Sequence, residues 1–166
     1  MPSDGATQSR LGGLAGGLWV EEESGENAAR SSAPPALARI LDGFCETVLW
    51  AGGAPPRGVP GRPVPTLEGA PGPLRALGSV LAASELDRVL FASRAETELE
   101  RLLALVAYPR QSFVAYRPVR GEAVAAVFCE REPVLDEVLK QLSAGRADLE
   151  SLVPALDAPL IEGRSD

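Results

Sequence analysis

The sequence predicts an α/β domain of two layers, an antiparallel sheet of about five strands with helices packed on it. Three observations predict it. Ser112–Val119 and Glu122–Cys129 are two strand-like runs joined by Arg120-Gly121, the strongest hairpin signal in the chain. Leu37, Ile40, Leu41 and Phe44 recur at helical spacing, as do Leu74, Leu77 and Leu81. A third helix opens at Glu132-Pro133, lines one face with Val134, Leu135, Val138, Leu139 and Leu142, and stops at Gly145.

Taken in order, residues 1–34 read as a flexible tail. Met1–Arg10 is polar and Glu21–Ser32 is acidic and small, a composition that buries too little apolar surface to offset its ordering entropy. Between them Leu11–Val20 is apolar but rich in glycine, which weakens a helix by about 1 kcal/mol per residue. It reads as a flexible arm or a short sticky segment. The folded domain is expected over 35–145. Its first helix follows Pro34-Pro35, and Thr47–Trp50, β-branched and aromatic, follows as a strand. Ala51–Pro63, with its glycines and prolines, is a loop, and Pro63–Leu67 a short edge strand.

Pro73 stands at the first position of the next helix, whose apolar face is carried on through Val89 and Leu90, with Ser84 as the cap of a second piece. Residues 95–108 fit two templates. Leu99, Leu102, Leu103 and Val106 match a helix opened by the capping box Ser93-x-x-Glu96, while Leu102–Tyr108 is also a continuous apolar run that suits a buried strand. Residues 146–166 read as a second tail, with one short helix at Leu149, Leu152, Val153 and Leu156.

Composition excludes several classes. The chain has 166 residues, 45% hydrophobic and 23% charged, enough to bury a core without disulfide or metal. Its net charge is -7 and no basic cluster appears, which argues against nucleic acid and anionic membrane surfaces. Basic residues are nearly all arginine, with Lys140 the one lysine, a bias typical of bacterial high-GC coding. Cys45 and Cys129 lie far apart beside Phe44 and Phe128 and read as buried free thiols. Leu11–Val20 makes a poor export signal and is too short to span a membrane, so a cytoplasmic protein is expected.

The search for chemistry returns little. There is no histidine, which removes Ser-His-Asp and Cys-His arrangements and most zinc and non-haem iron sites. No phosphate-loop or dinucleotide fingerprint occurs. Gly12-Gly13-x-x-Gly16-Gly17 comes nearest, but no strand is expected before it. Glu96, Glu98 and Glu100, and Glu130 with Glu132, read as solvated faces, and Asp136 with Lys140 as a supporting helical pair. Ile161-Glu-Gly-Arg164 matches a coagulation-protease recognition site and carries no function. No catalytic, cofactor-binding or metal-binding residue is therefore expected, and the chain is not expected to be an enzyme.

With 99–107 taken as a strand, the order from Pro35 to Leu142 becomes helix, two strands, helix, three antiparallel strands, helix. The segment Leu102–Phe128 then looks like the central strands of the roadblock family, which includes a dynein light chain and bacterial regulators of small Ras-like GTPases. The resemblance implies a homodimer of roadblock/profilin-like fold, without cofactor, that regulates or scaffolds a small GTPase or another protein partner. The face of Leu74, Leu77 and Leu81, opened by Gly78, is the candidate interface, with packing on the chain's own sheet as the plainer role. A ligand-sensing or enzyme-accessory domain of profilin-like or ferredoxin-like fold is the alternative, and an enzyme using carboxylates alone is a third.

Overall fold

The computed structural model describes residues 13–19, 33–93, 99–108, 111–118 and 123–162. Their elements run β1 (Leu14–Trp19), α1 (Ala33–Asp42), β2 (Thr47–Ala51), β3 (Arg62–Pro63), α2 (Pro73–Ala83) and β4 (Arg88–Ala92). They continue with α3 (Leu99–Ala107), β5 (Phe113–Arg117), β6 (Ala126–Glu130), α4 (Arg131–Ser143), α5 (Leu152–Ala155) and β7 (Leu160–Glu162).

The strands form one seven-stranded sheet in the order β3-β2-β1-β4-β6-β5-β7. β1 pairs in parallel with β2 on one side and β4 on the other, β2 with β3, and β5 with β7. Only β6 runs against its neighbours, β4 and β5. This corrects the expected antiparallel sheet of about five strands in two layers. The sequence carries the physical reason. Val48–Ala51, Val89–Ala92 and Phe113–Tyr116 are buried at every position, without the apolar/polar alternation that a sheet with one wet face requires.

Both faces of the sheet are accordingly covered. Ala15, Leu49, Val89, Phe91, Phe113 and Val127 face α2, α4 and α5, packing with Leu74, Leu77, Val80, Val134 and Leu152. Leu14, Leu18, Val48, Leu90, Val114 and Phe128 face α1 and α3, packing with Leu37, Leu41, Leu102 and Leu105. The reversal in strand order follows from these helices. The path through α1 carries the chain from β1 to β2 on one side, while α2, on the opposite face, carries it back across β1 to β4.

β1 falls where a flexible arm was expected. It holds the centre of the sheet, and its two inner glycines let helices approach both faces. A Cβ on Gly16 would lie 3.1 Å from Leu41 Cβ and from Cys45 Sγ, on the α1 side. A Cβ on Gly17 would lie 2.6 Å from Val80 Cγ1, on the α2 side. Glycine inside a strand marks such close approach. Glu46 fixes the start of the strand, its backbone N–H donating to Leu14 O at 2.9 Å and its carboxylate accepting from the Gly13 N–H.

Four further expectations are corrected. Val89 and Leu90 belong to β4, since α2 ends at Ala83, where the Ser84 N–H closes the last turn on Val80 O at 2.9 Å. Residues 99–107 are a helix, so the strand on which the roadblock order depended does not exist. The C-terminal tail contributes α5, the short helix expected, and also β7, whose Ile161-Glu162 pairs with Tyr116-Arg117. The expected edge strand Pro63–Leu67 is reduced to Arg62–Pro63, at the edge beside β2, because its prolines cannot donate to a ladder. β2, the β5–β6 pairing and α4 stand close to where the sequence placed them. The capping glutamate Glu96 and the Arg120-Gly121 turn lie outside the described residues. No described helix is long and apolar enough to cross a membrane.

Candidate functional site at the carboxyl ends of the parallel strands

In an open, mostly parallel sheet the helices leave a crevice beyond the carboxyl ends of the strands where the strand order reverses. Here that point lies between β1 and β4. Register fixes its floor. Trp19 pairs with Ala51 of β2, and Leu18 with Ala92 of β4, so Trp19, Ala51 and Ser93 end at one edge of the sheet. The segments that leave β1 and β4, residues 20–32 and 94–98, lie outside the described residues.

Hydrogen bonds hold the β4 side of this rim. Ser93 is a strut: its N–H donates to Ala125 O at 2.8 Å, and its hydroxyl lies 3.2 Å from the carbonyls of Val124 and Ala125. That ties the end of β4 to the entry of β6. The entry is held in turn by Glu150, whose carboxylate accepts the Val124 N–H at 2.5 Å. Beyond β2 the chain turns through Gly52, which has a left-handed φ of 89°, and continues through exposed Gly53 and Ala54. The same loop returns to cover Trp50, whose indole N–H donates to Pro60 O at 3.0 Å. Gly61 makes that closure: its φ is 118°, and a Cβ there would lie 2.3 Å from Trp50 Nε1. Trp19 is different. It is half-buried against the core on the α2 side, and among the described residues its indole N–H has no partner.

The sequence-derived candidates fall elsewhere. Leu74, Leu77 and Leu81 are fully buried in the chain's own core, and Gly78 lies where a Cβ would be 3.0 Å from Leu67 and from Val138 of α4. Their surface therefore joins α2 to α4 and to the sheet. Glu130 and Glu132 are exposed. Glu96 and Glu98, and the side chain of Glu100, lie outside the described residues. Lys140 pairs with Glu137 at 3.8 Å. Cys45 and Cys129 are buried and not joined in a disulfide, and burial pushes the Cys129 thiol well above its ordinary range. Among the described residues no three His, Cys, Asp or Glu side chains are grouped to hold a metal ion. The rim formed by Trp19, Gly52 and Ser93 was missed because the Gly-rich run 12–17 was weighed as a flexible arm, a short sticky segment or a phosphate loop, and not as a strand. Its signal was available: apolar residues flank a glycine pair, the pattern of a strand approached closely by other backbone.

No family model matches the chain, and no curated protein matches it. Solved structures do. A protein from Aquifex aeolicus VF5, Aq1419, shares 12% identity over 92% of this chain and 87% of its own, with a TM-score of 0.66. The 2-C-methyl-D-erythritol 4-phosphate cytidylyltransferase of Thermus thermophilus shares 18% over 90% and 88%, with a TM-score of 0.59. Glucosyl-3-phosphoglycerate synthase of Mycobacterium tuberculosis, solved with Mn2+, uridine diphosphate and phosphoglyceric acid, shares 14% over 98% and 73%, with a TM-score of 0.54. These likenesses overturn the roadblock resemblance and the non-catalytic GTPase-regulating module drawn from it, because the seven-stranded, mostly parallel sheet is shared with these structures and is not the antiparallel sheet that the resemblance implied. They also correct the expectation that the chain is not an enzyme, since the named structures that share its fold include a cytidylyltransferase and a synthase. The small-GTPase partner and the homodimer rested on the same resemblance and lose that support. At these identities the likeness is one of fold: this chain has the mostly parallel sheet, covered by helices on both faces, that these solved structures share.

Proposed function

We propose that the chain is a transferase-type domain that binds a nucleotide in the crevice at the carboxyl ends of β1 and β4 and takes part in nucleotidyl or glycosyl transfer. One observation carries this: the strand order reverses between β1 and β4, and the crevice so formed is where such sheets bind ligands. The packing supports it. Gly16 and Gly17 bring α1 and α2 tightly onto the two faces of β1, which fixes the strand end that forms the crevice floor. Ser93 and Glu150 hold the far wall rigid by hydrogen bonds that leave the Ser93 hydroxyl engaged, so it serves as a support and not as a nucleophile. A site set by rigid elements in this way binds and orients its ligands, which is the larger part of what a group-transfer enzyme contributes.

Calorimetric titration tests the reading. The full chain is titrated with cytidine, guanosine and uridine triphosphates and with uridine diphosphate-glucose, each with and without magnesium. Saturable binding of at least one at micromolar to low-millimolar concentration is expected. If none binds, the chain is not a nucleotide-handling transferase domain.

A further inference from the structure

The chain has two tryptophans, and the structure treats them differently. Trp50 is 2% exposed, and its N–H is spent on Pro60 O. Trp19 is half-buried, its N–H is free among the described residues, and it ends the strand at which the sheet order reverses. A buried or partly buried indole ordinarily finds a hydrogen-bond partner. One left open at a crevice has a ring face and a donor to offer a ligand.

Among the described residues, those that flank Trp19 on the neighbouring strands are small or turned away from it. Side chains alternate along a strand, so its indole lies on the same side as Ala15 and Gly17, toward α2. Across the register stands Ala51, followed by Gly52 and Gly53, which have no side chains to cover a ring. On the other flank Ser93 is drawn away by its bonds to Val124 and Ala125.

We infer that Trp19 is the stacking platform for the heterocyclic base of the nucleotide, with its indole N–H donating to an oxygen of the base or ribose. This rests on the proposed nucleotide site and adds the group that the site recognises. Bases stack on aromatic side chains whatever their identity, because each has a π-face. The platform therefore selects nucleotides over bare sugar phosphates more strongly than it selects one base over another.

Intrinsic fluorescence tests it, since Trp50 is sealed from solvent. Titrating the full chain with the nucleotide that binds in calorimetry is expected to quench emission along the calorimetric isotherm, while ribose 5-phosphate leaves it unchanged. Trp19→Ala is expected to weaken nucleotide binding about tenfold or more. Trp19→Phe is expected to bind within about threefold of the parent while losing the quench, and serves as the variant if Trp19→Ala does not fold by circular dichroism. Calorimetric binding without quench in the parent chain, or an unchanged affinity in a folded Trp19→Ala, overturns the platform and leaves the nucleotide site standing. Equal quenching by ribose 5-phosphate overturns the assignment to the base. An absence of nucleotide binding in the parent chain overturns both.

Discussion

A single methyl group is enough to disturb the centre of this sheet. The Cβ of Gly17→Ala would lie 2.6 Å from Val80 Cγ1, 3.2 Å from Val80 Cγ2 and 3.3 Å from Phe91 Cδ1. The β-branched valine has little freedom to retreat. Overpacking of this kind costs about 1–3 kcal/mol, so thermal denaturation should show a midpoint lower by about 2–10 °C. An unchanged midpoint would mean that α2 does not pack so closely on β1. At the crevice wall, Glu150→Ala removes the acceptor for the Val124 N–H, which is buried with its residue. Leaving such a donor unpaired costs about 1–3 kcal/mol, and chemical denaturation should register a loss in that range. The buried Cys129, its thiol held protonated well above the ordinary range, should resist a thiol reagent at neutral pH in the folded chain and react once the chain is denatured. Rapid labelling of the native protein would contradict its burial.

At the scale of elements, the residues explain both what was legible and what was hidden. α4 was readable because Pro133 stands in its first turn, Gly145 follows its end and its apolar positions keep helical spacing. The β5–β6 pairing was readable from two apolar runs close in sequence. β1 was hidden because its glycines are poor strand formers, chosen for what presses against them and not for their own preference. β4 was hidden because Val89 and Leu90 continue the helical spacing of α2, and only Ser84, accepting the Leu86 N–H at 3.0 Å, breaks the pattern. α3 was open to two readings because its apolar run fits both periods, and it is a helix because Leu102 and Leu105 both turn onto the sheet face shared with α1. The inward face of α2 gives an element-scale prediction. Leu77→Ala, at a fully buried position, should cost about 2–5 kcal/mol. Leu139→Ala, at a side chain 44% exposed, should change stability by about 0.5 kcal/mol or less. Equal losses in urea denaturation would show that the two faces had been assigned wrongly.

For the whole molecule, the direction of the sheet decided the reading, and direction is not local. Which strands are neighbours depends on helices crossing opposite faces, and no window of sequence states that. What the sequence did state was the absence of alternation in β2, β4 and β5, which already required cover on both sides of the sheet. The absence of histidine and of a phosphate loop remains true of the sequence, but it does not exclude a transferase, whose site can be made from strand ends and backbone. The central claim is that a nucleotide occupies the crevice between the carboxyl ends of β1 and β4. At 17.4 kDa the chain suits two-dimensional amide NMR, which reports on each residue separately. Titration with the nucleotide should move the amide signals of Gly17, Leu18, Trp19, Gly52 and Ser93 together, and leave those of α4 and β7 in place. Shifts confined to another surface, or none at saturating nucleotide, would contradict the account.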